Sequence, residues 1–106
     1  MDNILMNLVP QNKAISKLCE TYNVSKLFVF GSVLTDRFNE NSDIDMIVSF
    51  NKNNISDYFS NYFDFKYSLE DMFGRQVDLM EDQPIRNSYL RKNIENSKTL
   101  IYGRAN

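Results

Sequence analysis

Phe30-Gly31-Ser32, a spacer of ten residues, then Asp43-Ile44-Asp45 and, further on, Val77-Asp78-Leu79 are the residues of this chain whose types and spacing can do chemistry. Asp43 and Asp45 stand two apart in an apolar run. Side chains alternate faces along a strand, so the two carboxylates share a side and form a chelating pair. Gly31 and Ser32 directly follow the strand-like stretch Lys26-Leu27-Phe28-Val29-Phe30. Glycine permits a tight turn there, and serine offers a hydroxyl and an amide to a phosphate oxygen. A carboxylate pair beside a phosphate-binding turn suits a metal-bound nucleoside triphosphate.

Magnesium takes a few carboxylates and completes its octahedron with phosphate oxygens and water. If the strand carrying Asp78 lies beside the one carrying Asp45, three carboxylates converge, enough to grip a triphosphate and activate an attacking hydroxyl. Asp78 then either ligates a second metal or accepts the proton. Taken singly, each acid has an ordinary reading: Asp43 ends a turn begun by Asn41-Ser42, and Asp45 and Asp78 face water on edge strands. Taken together with Gly31-Ser32 they do not, because acids inside strand runs need compensation.

The elements that must position these groups follow from periodicity. Pro10 opens a helix with Ile15, Leu18, Cys19 and Tyr22 on one stripe, and Asn23 ends it. Leu27 to Phe30 is a strand buried on both faces. Residues 33 to 42 are polar and predict a short helix and loop. Ile44, Met46, Val48 and Phe50 form the core face of a second strand whose other face begins with the acids. Ser56 caps a long helix in which Phe59, Tyr62, Phe63, Leu69, Met72 and Phe73 recur, and Gly74 stops it. Gln76 to Met80 is a third strand, Pro84 starts a last helix to about Asn96, and Leu100 to Tyr102 is a final strand. The expected product is an α/β (α+β) domain over residues 1–106, a small mixed sheet with helices packed against it.

At 106 residues and 42% hydrophobic, the chain fits one domain of modest core. The absence of histidine removes imidazole as base and as zinc ligand, and the single cysteine, Cys19, excludes an internal disulfide. Cys19 reads as a small buried hydrophobe. Residues 84 to 106 carry five Lys or Arg against Glu95, a net of plus four within a total of minus two, so a basic tail follows a body at minus six. No stretch approaches the roughly 18 apolar residues of a membrane span, and no secretory signal is evident, so a cytoplasmic protein is expected.

Gly-Ser, a spacer near ten, Asp-x-Asp and a later Asp on a neighbouring strand resemble the nucleotidyltransferase superfamily that includes DNA polymerase beta. The residues in question are GSVLTDRFNENSDID followed by QVDLM. The short length and the stretch NSYLRKNIENSKTLIYG are most similar to the minimal nucleotidyltransferases paired with HEPN-domain proteins in toxin-antitoxin modules. The resemblance implies a nucleotidyltransferase-like fold, ATP or another NTP as donor, and magnesium (Mg2+) as cofactor. It further implies Gly31 and Ser32 at the triphosphate, Asp43, Asp45 and Asp78 as metal-binding catalytic carboxylates, and transfer of AMP to a HEPN-type toxin partner. Relatives place an arginine soon after Gly-Ser. Here the segment is Val33-Leu34-Thr35-Asp36-Arg37-Phe38, and Arg37 is the candidate to replace it at the phosphates.

A transferase must hold donor and acceptor together. Relatives acting on small molecules append a helical domain for this, and none is expected within these 106 residues. A second polypeptide or a homo-oligomer is therefore expected to supply the acceptor surface, which favours a protein substrate over an antibiotic. The competing class is a non-catalytic antitoxin or regulatory subunit that masks its partner. The aromatic series from Tyr58 to Tyr67 is expected to be mostly core, with Tyr58, Phe65 or Tyr67 left over as an association patch.

Overall fold

The computed structural model describes residues 12–30, 43–82 and 98–103. Gly31, Ser32, Arg37, the expected short helix over 33–42 and the expected helix from Pro84 to about Asn96 lie outside those residues. Within them the order is helix α1 (Lys13–Thr21), strand β1 (Val24–Phe30), strand β2 (Ile44–Phe50), a 3-10 turn (Lys52–Asn54), helix α2 (Tyr58–Phe73), strand β3 (Val77–Glu81) and strand β4 (Thr99–Tyr102). The strands form one sheet in the order β3-β2-β1-β4. β1 runs antiparallel to β2 and β4, whereas β2 and β3 are parallel. This is the mixed sheet the sequence predicts.

Asn12 starts α1: its side-chain oxygen accepts from the N–H groups of Ala14 and Ile15 at 3.0 and 3.2 Å, satisfying donors that the first turn leaves free. The helix buries Ile15 and Cys19. Asn23 ends it at φ +60°, a left-handed conformation that asparagine tolerates better than most residues. The Asn23 carbonyl then accepts from Asn51 N–H at 2.8 Å, tying the start of β1 to the end of β2.

The main core lies between one face of the sheet and the two helices. Leu27, Val29, Ile44, Met46, Val48 and Phe50 come from the sheet, Ile15 and Cys19 from α1, and Phe65, Leu69 and Phe73 from α2. Phe50 meets Tyr58 and Phe65 edge-on, with ring centroids 5.5 and 5.8 Å apart, the geometry aromatic quadrupoles favour. The opposite face carries a smaller apolar cluster of Phe28 and Ile47, flanked by Phe30 and Leu100. β1 is therefore apolar on both sides, as its unbroken run predicts.

Three expectations for α2 are corrected. The cap is Asp57, not Ser56: its carboxylate accepts from the Ser60 N–H at 3.2 Å and the Ser60 hydroxyl at 2.9 Å. Phe65 is wholly buried, whereas Phe59, assigned to the core, is 74% exposed. The reason is geometric, because five aromatic side chains between Tyr58 and Phe65 cannot share one face of a helix that turns 100° per residue. Phe65 and Leu69, four apart, take the inner face and displace Phe59 outward. Gly74 closes the helix at φ +67°, donating to the Glu70 carbonyl at 2.8 Å.

β3 forms an edge of the described sheet, and α2 covers part of that edge. Glu70 accepts from the Val77 N–H at 3.0 Å, and the Tyr62 hydroxyl donates to the Leu79 carbonyl. Backbone groups that would otherwise invite another strand are thus occupied by side chains. No helix among the described residues is long and apolar enough to cross a membrane.

Candidate active site

Asp45 and Asp78 are Cα partners across the parallel β2–β3 pair. Neighbouring residues in register project to the same face, so the two carboxylates stand side by side on the face opposite the helices. Asp78 is exposed between buried Val77 and Leu79, the alternation of a half-buried strand. Asp43 precedes Ile44, the first residue of β2, and is also exposed. Asp45 is half-buried beside the Phe28–Ile47 cluster. On the other side of β2, Asp45 is the register partner of Phe30, the residue that precedes Gly31-Ser32 in the chain.

Asp45 senses the other two acids. The Asp45 carboxyl is held above the usual aspartate range, first by desolvation, then by the charge of Asp78, then by that of Asp43. Like charges gathered this way favour a bound cation, which removes their repulsion. Among the described residues no three Asp, Glu, Cys or His groups already close on a common point as a metal cage. The donor set nevertheless fits magnesium: it is all carboxylate oxygen, and the lone thiol, Cys19, is buried in the core.

A groove of about 530 Å³ opens at the start of β2 and β3, lined by Asp43, Gln76, Val77 and Asp78 and, from α2, by Lys66 and Glu70. Lys66, Glu70 and Gln76 were not picked out from the sequence. A signal was present: Lys66 and Glu70 are polar and four apart in a largely aromatic helix, so they mark one flank of it.

Residues 13–106 match the model of the polymerase beta nucleotidyltransferases. The chain belongs to the polymerase beta nucleotidyltransferase family. It is 36% identical over 98 residues to a Methanocaldococcus jannaschii protein named "Putative protein adenylyltransferase MJ1379", covering 92% of this chain and 93% of that one. Among solved structures it is similar to one named "Structure of putative minimal nucleotidyltransferase" at TM-score 0.69 and 24% identity, covering 93% of this chain and 95% of the other. It is similar as well to a chain in the complex of a tri-AMPylated Shewanella oneidensis HEPN toxin with its MNT antitoxin. That match has TM-score 0.59 and 18% identity, with 98% and 74% of the two chains covered. Both structures share the fold with this chain.

As a member of this family the protein is a nucleotidyltransferase; its fold pairs Asp45 with Asp78 across β2 and β3, with Asp43 two residues before Asp45. Gly31, Ser32 and Arg37 remain sequence assignments. Burial, then the charges of Glu81 and Asp78, push the Tyr62 hydroxyl up. Tyr62 is therefore a hydrogen-bond donor at neutral pH and not a base.

Proposed function

We propose that this nucleotidyltransferase is a magnesium-dependent protein adenylyltransferase that moves AMP from ATP onto a hydroxyl of a HEPN-type toxin partner, in the cytoplasm, and so acts as an antitoxin. The observation that carries the reading is the side-by-side placement of Asp45 and Asp78 across β2 and β3, with the Asp45 carboxyl raised first by desolvation and then by its acidic neighbours. The adenylyltransferase name of a relative covering almost the whole chain supports AMP as the transferred group. An AMPylated HEPN toxin bound to an MNT antitoxin of the same fold supports the acceptor.

In this reading Gly31 and Ser32 hold the triphosphate, Arg37 contacts it, and Asp43, Asp45 and Asp78 hold magnesium. The ion, when bound, screens phosphate charge and acidifies a nearby hydroxyl. The acceptor oxygen bonds to the α-phosphorus, the bond from that phosphorus to the α,β-bridging oxygen breaks, and pyrophosphate leaves with the electron pair. The hydroxyl proton passes to water in the groove.

The deciding experiment mixes the protein with the product of the gene beside its own, ATP and magnesium, and weighs both proteins intact. A gain of one AMP on the partner, absent with Asp43→Asn and Asp45→Asn, is the expected result. Toxin neutralisation that persists in both variants without any mass gain would instead establish masking by binding.

A further inference from the structure

Phe59, Phe63 and Tyr67 follow one another at four-residue intervals along α2, with ring centroids 5.1 and 6.0 Å apart, the second pair stacked. Phe59 is 74% and Tyr67 54% exposed, and Phe63 is half-buried between them. Residues four apart lie on one flank of a helix. Lys66 comes three residues after Phe63, its ammonium 6.0 Å from the Tyr67 ring, and Glu70 four after Lys66. Both line the groove that holds Asp43 and Asp78. The aromatic ladder and the groove are therefore one continuous surface.

The sheet order says what approaches along it. β1 and β3 flank β2 on opposite sides. Phe30, the residue before Gly31-Ser32, meets Asp45 from the β1 side, and Asp78 with the groove meets it from the β3 side. In phosphoryl and nucleotidyl transfer the attacking and leaving oxygens lie roughly in line through the phosphorus. A pyrophosphate held on the Gly-Ser side leaves the groove side for the incoming hydroxyl. A small acceptor needs the groove alone, whereas a protein that reaches into it also covers the helix forming its wall.

We propose that the α2 flank of Phe59, Phe63, Lys66 and Tyr67 is the docking surface for the acceptor protein. The acceptor seats an apolar patch on the aromatic ladder and carries its hydroxyl past Lys66 to Asp78. Exposed aromatic anchors beside a polar rim are the usual source of binding energy in such contacts. This inference rests on the adenylylation reading above and adds to it the route by which the acceptor is held.

The test is a double variant, Phe59→Ser with Tyr67→Ser, in the full chain, assayed with ATP, magnesium and the acceptor protein that gains mass in the experiment above. Neither side chain lines the groove. The acceptor KM is expected to rise about tenfold or more, the loss of roughly one anchor residue, while ATP binding by calorimetry stays within about twofold, one pocket being untouched by the other. Lys66→Glu should raise the acceptor KM as well. Unchanged acceptor KM in the double variant overturns the docking surface while leaving adenylylation intact. Light scattering that shows loss of self-association with that same unchanged KM assigns the ladder to a second copy instead. If the unaltered chain transfers nothing to any protein, the adenylylation reading fails and the docking surface with it.

Discussion

The Tyr62 hydroxyl on α2 donates to the backbone carbonyl of Leu79, the residue that follows Asp78. On the other side of Asp78, the Val77 N–H is held by Glu70 of the same helix. An edge strand pairs on one side only, so its position depends on whatever occupies the free side. Here that is α2, and the two hydrogen bonds bracket Asp78.

Removing either bracket should therefore weaken transfer more than it weakens the fold. Tyr62→Phe deletes one hydrogen bond, about 1 kcal/mol of stability by the usual net value. Its kcat for AMP transfer is expected to fall severalfold with the ATP KM unchanged. Glu70→Ala should behave likewise, and Glu70→Gln, which keeps an acceptor oxygen for the Val77 N–H, should recover most of the loss. Steady-state kinetics on the three variants, with thermal unfolding alongside, checks both halves of this expectation.

Asp45→Asn should stabilise the metal-free protein while abolishing the magnesium binding proposed above. The native Asp45 carboxyl is raised by desolvation and by Asp78 and Asp43. The native state thus holds this proton more tightly than the unfolded chain does, and stability falls as pH rises from the ordinary aspartate range through the raised native value. At neutral pH the ionised group is a cost to the empty site, and the neutral amide removes it. Differential scanning calorimetry without divalent ions should show a higher Tm for Asp45→Asn, and added magnesium should raise the Tm of the natural protein alone. A lower Tm for the metal-free variant would contradict this account of the acids.

The acids were legible because strand alternation is a strict period of two: Asp45 and Asp78 each interrupt an apolar run, and Asp43 stands two before Asp45 at the same phase. Their convergence was conditional, since no local pattern states that β3 pairs with β2 in parallel, or that Asp78 falls opposite Asp45. The long helix was legible in extent but not in orientation. Its many aromatics leave the hydrophobic stripe ill-defined, and Phe59 and Phe65 exchanged places because packing against Phe50, distant in sequence, chose the inner face. Ser56 and Asp57 are both good caps, and one residue of helix phase decided between them. Lys66 and Glu70 were missed because a lysine and a glutamate on a helix are ordinarily solvated.

Cys19 is expected to be inert in the native state. It is wholly buried among α1 and sheet residues, and burial, with a smaller contribution from Glu20, pushes its thiol up to about 12. The nucleophile is the thiolate, so both access and ionisation are denied. Alkylation by iodoacetamide at pH 8, read by intact mass, should be negligible for the folded protein and complete in denaturant. Fast labelling under native conditions would mean that α1 detaches readily from the sheet.

The cap of α2 offers a pH signature. The Asp57 carboxylate accepts from the Ser60 N–H and hydroxyl, and these bonds, the backbone one first, hold it below the ordinary aspartate range. A depressed native value means that the ionised cap stabilises the fold fully above the unfolded value, near 3.9. That contribution is lost as pH falls through the lower native value. Asp57→Ala should accordingly lower the Tm at neutral pH, with the gap to the natural protein steady down to about pH 4 and closing below it. Asp57→Asn, whose amide oxygen caps without ionising, should lose less at neutral pH and show no such closure. Thermal unfolding followed by circular dichroism from pH 3 to 7 separates the three, and parallel curves for Ala and the natural protein across that range would assign the cap no electrostatic role.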